Sequence, residues 1–587
     1  MTFAAEPNRR PALVAWLLPF LVATATFTIG IGWGLPTRAD DAFLFGDRTP
    51  WTGAQIVALT GGWNAPADGA ADHDANPLAG RDRVQIVNAT DAQRAEIVQR
   101  YRLYSHQPDE MLTLRAIAQM RPGDVHLDPK MYQYGGLWVY PVAGLLKAGA
   151  ATGLLTLRGD VAYYLDHPDQ FGRFYVVMRA YSALWGLAGV AAVMLILRKL
   201  TGSLLATCLG GVAFAFMPVV VNMAHEAKPH LAGAVLLLFT VLAAAAYVRR
   251  GAAKHAAVAG AVWGAATGMV LLSLPGAIVL LIMVAIRPQP LLRRLKHLAL
   301  AGVAGAIVYG VSNPYVVVNA WRGSNTLATN MTAHGNFYHV GQLFHGIFNG
   351  IDLIAEGTSL LVTLAGDAAI IVGLRRLART RGAAVDYPRK AVSLLLAAPA
   401  LLVVVQFVLL GAGKPGEYAR FALLPCIALL ITAFAGVANW MIHQGGRAVM
   451  LVALCGWTIV SGTRYVVNFA SDTGRSDTRT LAAERLVTLA GGGGGLAIVD
   501  EPAPYCLPPV DLFRWKLMLL PRGSGVPALH SDADAIVTAV DRHRHEPTGW
   551  QRADVASARQ ILPSRISWAN KPVDLFVREQ TILPSSH

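Results

Sequence analysis

Leu137-Trp138-Val139-Tyr140-Pro141-Val142-Ala143-Gly144-Leu145-Leu146-Lys147-Ala148-Gly149-Ala150-Ala151-Thr152-Gly153-Leu154-Leu155-Thr156-Leu157 decides how this chain is threaded. The run is long enough to cross a bilayer core of about 30 Å, which takes roughly 20 apolar residues. Charge argues against a crossing. If the run stays on one side, the later basic clusters all face the same way. They are Arg198-Lys199, Arg249-Arg250 with Lys254, Arg287 through Arg293-Arg294 and Lys296, Arg375-Arg376 with Arg379 and Arg381, and Arg447. Short loops rich in Lys and Arg stay in the cytoplasm. A crossing at Leu137–Leu157 would put them outside, so the run is read as a juxtamembrane or re-entrant helix of the first external loop.

Working outward, Arg9-Arg10 precedes an apolar segment from Pro11 to Gly34. It is longer than a signal-peptide core and lacks a small-residue cleavage site near its end, so it is expected as an uncleaved first span with a cytoplasmic N-terminus. Residues 36–157 then form the first extracytoplasmic loop with its juxtamembrane helices, including a solvated insertion from Asn64 to Asn76. Spans are expected at about 11–35, 175–197, 203–222, 231–248, 256–273, 275–287, 297–312, 352–373, 391–410, 421–440 and 448–466, roughly eleven in all. Pro275 suggests that the fifth and sixth are a broken or tightly turned pair.

From about Ser471 the apolar runs shorten to strand length: Leu496 to Val499, Leu517 to Leu520, and Ala535 to Val537. A helical pattern at Thr480–Leu489 precedes the glycines Gly491 to Gly495. The segment 471–587 is therefore expected as a small extracytoplasmic α/β domain beyond a 1–470 transmembrane catalytic domain. The glycine run follows a helix and lacks a Lys-Ser/Thr ending, so it is no phosphate loop.

Composition agrees with a polytopic α-helical membrane protein. The chain is 54% hydrophobic and 15% charged, with a mean hydropathy of +0.43, where soluble domains carry about a quarter charged residues. The net charge of +14 resides in short loops between apolar runs, which assigns it to membrane orientation and leaves no case for a nucleic-acid partner. Cys208, Cys426 and Cys455 lie in apolar runs and Cys506 alone in a polar region, so neither a disulfide framework nor zinc-ligand spacing is present.

Chemistry concentrates in Ser105-His106-Gln107-Pro108-Asp109-Glu110, which leads through Asp128-Pro129-Lys130 into an aromatic run at the head of Leu137–Leu157. Asp109 and Glu110 read as the catalytic carboxylates, with Asp109 structurally also the N-cap of a helix over Met111–Met120; the adjacent Glu110, which a cap would not need, favours the first reading. Asp40-Asp41, just after the first span, is the alternative catalytic pair. Glu226, Lys228 and His230 lie between two spans, where ionisable groups mark a cavity or else snorkel to the headgroups. Arg179, one turn inside the second span, wants a carboxylate or phosphate. Lys414 and Arg420 flank the tenth span and serve either a phosphate or lipid headgroups. Tyr132, Tyr134, Trp138 and Tyr140 suit either sugar stacking or an interfacial aromatic belt, and Tyr134 is taken as the substrate-side candidate.

These motifs together resemble the GT-C glycosyltransferases, nearest the lipid A aminoarabinose transferase and protein O-mannosyltransferase branch. The resemblance rests on Gln107-Pro108-Asp109-Glu110, Asp128-Pro129-Lys130, Phe171-Gly172-Arg173 with Arg179, Pro229, Asn313-Pro314-Tyr315, Glu417 through Pro425, and Asp477-Thr478-Arg479. It implies inverting transfer of a sugar from a polyprenyl-phosphate carrier to a glycan, lipid or protein acceptor on the outer face of a bacterial inner (plasma) membrane. It also implies Asp109 as base or acceptor-positioning group and Lys130 as a phosphate contact. The chain departs from many relatives at Glu226, where they carry Asp, and at Ser273-Leu274-Pro275-Gly276, where they carry a basic step. No cofactor is demanded, and a divalent cation at the acidic pair stays open. Two other classes share the many spans: a transporter or lipid flippase, against which stand the large external loop and the absence of internal repeats, and a non-catalytic polysaccharide- or lipid-binding scaffold.

Overall fold

A computed structural model describes residues 9–61, 84–124, 126–323, 343–379, 387–410, 415–440, 443–473, 477–499, 504–505, 507–520, 534–538, 550–554, 566–571 and 573–578. Asn64 to Asn76, Lys414 and Cys506 lie outside the described residues. The chain divides into two compact units. One holds Met1–Ile29, Met120–Val142 and Arg179–Val466; the other holds Gly30–Gln119, Ala143–Met178 and Val467–His587.

The protein is mostly helical and membrane-embedded. Among the described residues five helices are long and apolar enough to cross: Pro168–Thr201, His230–Arg250, Leu291–Ser312, Arg420–Asn439 and Gln444–Ser471. Two bent pairs raise this to as many as seven. One of them corrects the expectation of a continuous span over 352–373: Gly346–Thr358 and Leu360–Arg375 meet at 112°. The break falls at Ser359, whose φ of +95° no helix accommodates. The 203–222 window is likewise bent, by 58° between Leu204–Phe216 and Pro218–Ala224, because Pro218 opens the second piece with no N–H to continue the first.

The expected break near Pro275 lies earlier. A helix over Ala253–Met269 ends at Val270, a 3-10 turn runs over Leu271–Ala277 with Pro275 inside it, and Ile278–Ile286 resumes as α-helix. The freed backbone groups find partners in the preceding loop. Gly135 N–H donates to the Met269 carbonyl at 3.0 Å and Leu271 N–H to the Gln133 carbonyl at 3.2 Å. Non-helical backbone at membrane depth survives only when satisfied in this way. Ala253–Met269 packs tightly on Leu291–Ser312 through small residues: a Cβ added at Gly260 would lie 1.9 Å from the Ala301 carbonyl oxygen.

The Leu137 run forms a helix over Gly136–Ala151, 16 residues with Pro141 inside. At ~1.5 Å per residue that is about 24 Å, short of the hydrocarbon thickness. The chain then turns at Gly153, φ +77°.

The second unit is built on a six-stranded sheet. Its strands are β1 (Gln85–Ile86), β2 (Gly494–Val499), β3 (Trp515–Leu519), β4 (Ala535–Thr538), β5 (Trp550–Asp554) and β6 (Asp574–Arg578), in the order β1-β3-β2-β4-β6-β5. β2 lies parallel to β3 and β4, and the outer pairs are antiparallel. Ala497, Met518, Ile536 and Phe576 form its buried cluster with Trp550 and Leu520. The glycine run acts as punctuation: Gly491 (φ +65°) ends the helix Thr478–Ala490 and Gly494 starts β2. The sheet is not made by the C-terminal segment alone. β1 comes from the first loop, with Gln85 opposite Leu519 and Ile86 opposite Met518. Asn88 reinforces it, donating to the carbonyls of Leu512 (2.9 Å) and Trp515 (2.7 Å) and accepting from Leu517 N–H (2.9 Å).

Candidate active site

In the second unit, the helix Asp91–Leu103 is started by a Thr90–Gln93 capping box and delivers the chain to the acidic stretch. The next helix is Glu110–Ala118, so Asp109 stands at its N-cap position, half-buried, with φ −87°, ψ −10° and no side-chain capping hydrogen bond. Gln107 Oε1 accepts the Asp109 N–H at 2.6 Å, and of the first helical N–H groups Glu110 donates to the Gln107 carbonyl at 3.4 Å and Leu112 to the Asp109 carbonyl at 3.2 Å. Glu110 is fully buried and accepts from Ser105 Oγ at 2.5 Å. Glu110 is part of the loop's interior.

The loop is bolted in place from two directions. His106 N–H donates to the Gly34 carbonyl and Gly34 N–H to the Asp472 carbonyl, both at 2.8 Å. The Asp472 carboxylate, fully buried, meets His106 Nδ1 at 3.0 Å, Arg479 Nη1 at 3.6 Å and the Asn570 N–H at 2.9 Å. Burial pushes the Asp472 carboxyl up, but His106, Arg479 and the Asn570 N–H outweigh it and hold it below its ordinary value. Arg479 reaches on to the carbonyls of Tyr505 (2.6 Å) and Trp568 (3.1 Å).

The other acidic doublet lies in the same unit. Asp41 is clasped by the fully buried Arg102, Nε to Oδ1 at 3.1 Å and Nη2 to Oδ2 at 2.9 Å, and also meets Arg38 Nε at 3.2 Å. Arg102 Nη1 adds the carbonyls of Trp51 (2.8 Å) and Leu165 (3.2 Å). Such a bidentate buried pair is a joint between loop segments. Asp40 is different: burial, then the charges of Asp477 and Asp41, lift its carboxyl to about 7, with Arg479 partly opposing.

In the first unit, Arg179, Glu226 and Lys228 are buried. Lys228 Nζ stands 3.2 Å from Glu226 Oε2, and Asn222 Nδ2 donates to Glu226 Oε1 at 3.0 Å. Ser182 Oγ holds the Glu226 carbonyl at 2.7 Å. His230 is sandwiched by rings, edge-on to Tyr134 (5.6 Å between centroids) and to Phe421 (6.2 Å), and the Arg420 guanidinium lies 5.2 Å from the Phe421 ring centre. Of the residues singled out from sequence, the structure therefore brings together Glu226 with Lys228, and Tyr134 with His230 near Arg420.

Lys130 adopts φ +52°. Its N–H donates to Asp128 Oδ1 at 2.9 Å, and Asp128 also accepts from Tyr132 Oη (3.0 and 3.2 Å) and Asn319 Nδ2 (2.8 Å). Burial and the Asp128 charge together push the Tyr132 hydroxyl well above its ordinary value.

The residues that sequence reasoning missed are mostly the fixtures: Arg102, Asp472, Arg479, Asn570, Asp128 and Asn319. Asp128, His106 and Arg479 stood inside the quoted motifs, but partners of each are far along the chain. Among the described residues no group of three or more His, Cys, Asp or Glu side chains could hold a metal ion. Cys208, Cys426 and Cys455 are free and buried.

No protein-family model and no curated protein matches this chain. Similar solved structures include the oligosaccharyltransferase of Archaeoglobus fulgidus in complex with zinc and sulfate, at 13% identity and a TM-score of 0.36, covering 70% of this chain and 52% of that one. A second structure of that enzyme, tethered by a disulfide to an acceptor peptide containing the NVT sequon, gives 12% identity and a TM-score of 0.39, covering 86% and 64%. ArnT from Cupriavidus metallidurans bound to undecaprenyl phosphate gives 17% and 0.36, covering 64% and 70%. The chain spans about half the length of the first of these structures.

Proposed function

We propose that this chain is a membrane glycosyltransferase that moves a sugar from a polyprenyl-phosphate-linked donor to an acceptor hydroxyl, with inversion. In this reading Asp109 takes the acceptor's proton as its oxygen attacks the anomeric carbon. The bond from that carbon to the carrier phosphate breaks, and the phosphate leaves with the electron pair. Lys130 and Arg179 neutralise the phosphate, with Lys228, His230 and Arg420 as further contacts and Glu226 orienting Lys228. The acceptor is a glycolipid, polysaccharide or protein.

The observation that carries the reading is the state of Asp109. It occupies an N-cap position without using its side chain as a cap, next to a glutamate buried in the loop's own interior. A carboxylate at a helix start ordinarily satisfies the orphan N–H groups; here backbone carbonyls take them, Gln107 the Glu110 N–H at 3.4 Å and Asp109 the Leu112 N–H at 3.2 Å. Asp40 is favoured as the alternative base by one observation of its own, a carboxyl lifted to about 7, which suits proton transfer near neutral pH.

The sheet supports the membrane placement. β1 from the first loop is hydrogen-bonded to β3, and two strands of one sheet lie on one side of a bilayer. The chain therefore crosses an even number of times between Ile86 and Trp515. An extracytoplasmic face for the first loop and the 471–587 segment follows from the basic loops on the opposite side.

Purified full-length protein in lipid nanodiscs, given radiolabelled polyprenyl-phosphate sugars and an envelope glycolipid extract, should release carrier phosphate and label an acceptor. Movement of the intact lipid-linked sugar between leaflets with no transfer would establish the flippase reading instead. Binding with neither outcome would leave the scaffold.

A further inference from the structure

We propose that Asp128 and Asn319 form a positioning device for Lys130, built to present its ammonium to the carrier phosphate. This rests on the reading of Lys130 as a phosphate contact and adds how that contact is held. Lys130 sits at φ +52°, a left-handed conformation in which glycine or asparagine is at ease and a long side chain is strained. Strained non-glycine residues persist where their surroundings over-determine them and concentrate at functional sites.

The surroundings do so here. Pro129 fixes the preceding φ and contributes no N–H. Asp128 Oδ1 accepts the Lys130 N–H at 2.9 Å, closing an Asx turn two residues long. That carboxylate cannot rotate away, because Tyr132 Oη holds both of its oxygens at 3.0 and 3.2 Å and Asn319 Nδ2 holds Oδ2 at 2.8 Å. Asn319 also reaches the Tyr132 hydroxyl. Both Asp128 and Asn319 are buried, whereas Lys130 is only half-buried. Asn319 lies on the helix Pro314–Trp321, and Tyr315 of that helix accepts the Leu127 N–H at 2.8 Å. The turn is thus fastened at Leu127 and at Asp128, and the residue it carries is one whose backbone preference opposes the turn. The side chain is what the turn serves.

The test is binding of polyprenyl monophosphate in detergent micelles to full-length protein, with melting temperature as a fold control. Lys130→Ala should weaken binding about ten- to a hundredfold, the worth of one charge-assisted hydrogen bond. Asp128→Asn should weaken it by about tenfold, and the Asp128→Asn/Lys130→Ala double variant should bind no worse than Lys130→Ala alone, since both changes remove one contact. Lys130→Asn suits a positive φ, so it should melt no lower than the wild type yet bind as weakly as Lys130→Ala; it keeps the test open if Asp128→Asn fails to fold. Asp128→Asn binding like wild type beside a weakened Lys130→Ala overturns the positioning role alone. Unchanged binding by Lys130→Ala overturns the phosphate reading itself, and the positioning role with it.

Discussion

The two acidic doublets of the second unit, Asp40-Asp41 and Asp109-Glu110, look alike in sequence and are built alike. In each, one carboxylate is embedded in the fold: Asp41 in the fork of Arg102, Glu110 under the Ser105 hydroxyl. The difference lies in the neighbour. Asp40 faces the acids Asp477 and Asp41, which with burial hold a proton on it up to about pH 7. Asp109, at an N-cap position without a side-chain capping bond as Asp40 is, lies beside Gln107, whose Oε1 accepts its N–H. Each doublet therefore holds one acid inside the fold, and the proposed function gives the chemistry to the other.

The comparison breaks most visibly at its fixed members. Arg102→Ala should destabilise the protein by about 3–5 kcal/mol, because it leaves Asp41 buried and unpaired; denaturant melts of the purified chain would read this, and a loss under about 1 kcal/mol would mean that the pair is no joint. Asp472→Asn comes next. It leaves His106 and Arg479 facing a neutral amide, so it should cost about 2 kcal/mol at pH 7. The depressed carboxyl of Asp472 contributes stability above its unfolded value of about 3.8 and loses it as pH falls through the lower folded value. The wild-type advantage over Asp472→Asn should accordingly shrink in acid.

Two smaller effects sharpen the contrast. Glu110→Gln keeps the volume and an acceptor for Ser105, so turnover should fall by less than about tenfold, far below the loss of a base. Asp40→Asn should change the pH dependence of stability. A carboxyl raised to about 7 contributes stability below its unfolded value near 3.8 and loses it as pH rises through about 7. Melting temperatures of the variant and the wild type should diverge in the variant's favour between about pH 4 and 7, and parallel curves there would contradict the assignment.

What could be read from sequence was local. Pro-Asp-Glu and Asp-Pro-Lys announce themselves through residue type, and the strands at β2, β3 and β4 through short apolar runs between turns. What could not be read depends on distance along the chain. Asp472 reaches His106 across 366 positions and Arg102 reaches Asp41 across 61. β1 is only two residues long, too short for any alternation to show. The break near Pro275 was legible as a break, but its place at Val270 depends on the loop strand beside it: Tyr134 pairs with Val270. The 112° bend at Ser359 has no proline or glycine at its vertex, and only the backbone angle reveals it.

The central claim is that the working acid of the second doublet carries the chemistry. It is tested most directly by turnover of a polyprenyl-phosphate-linked sugar by Asp109→Asn and Asp40→Asn, purified and assayed side by side with the wild type. Asp109→Asn keeps the side-chain volume, and the helix start does not depend on its oxygen as a cap. It should therefore fold and bind donor normally while losing about 10²–10⁴-fold in rate, with Asp40→Asn within about tenfold of wild type. Near-full turnover by Asp109→Asn beside a dead Asp40→Asn would contradict the account and move the base to the exit of the first helix.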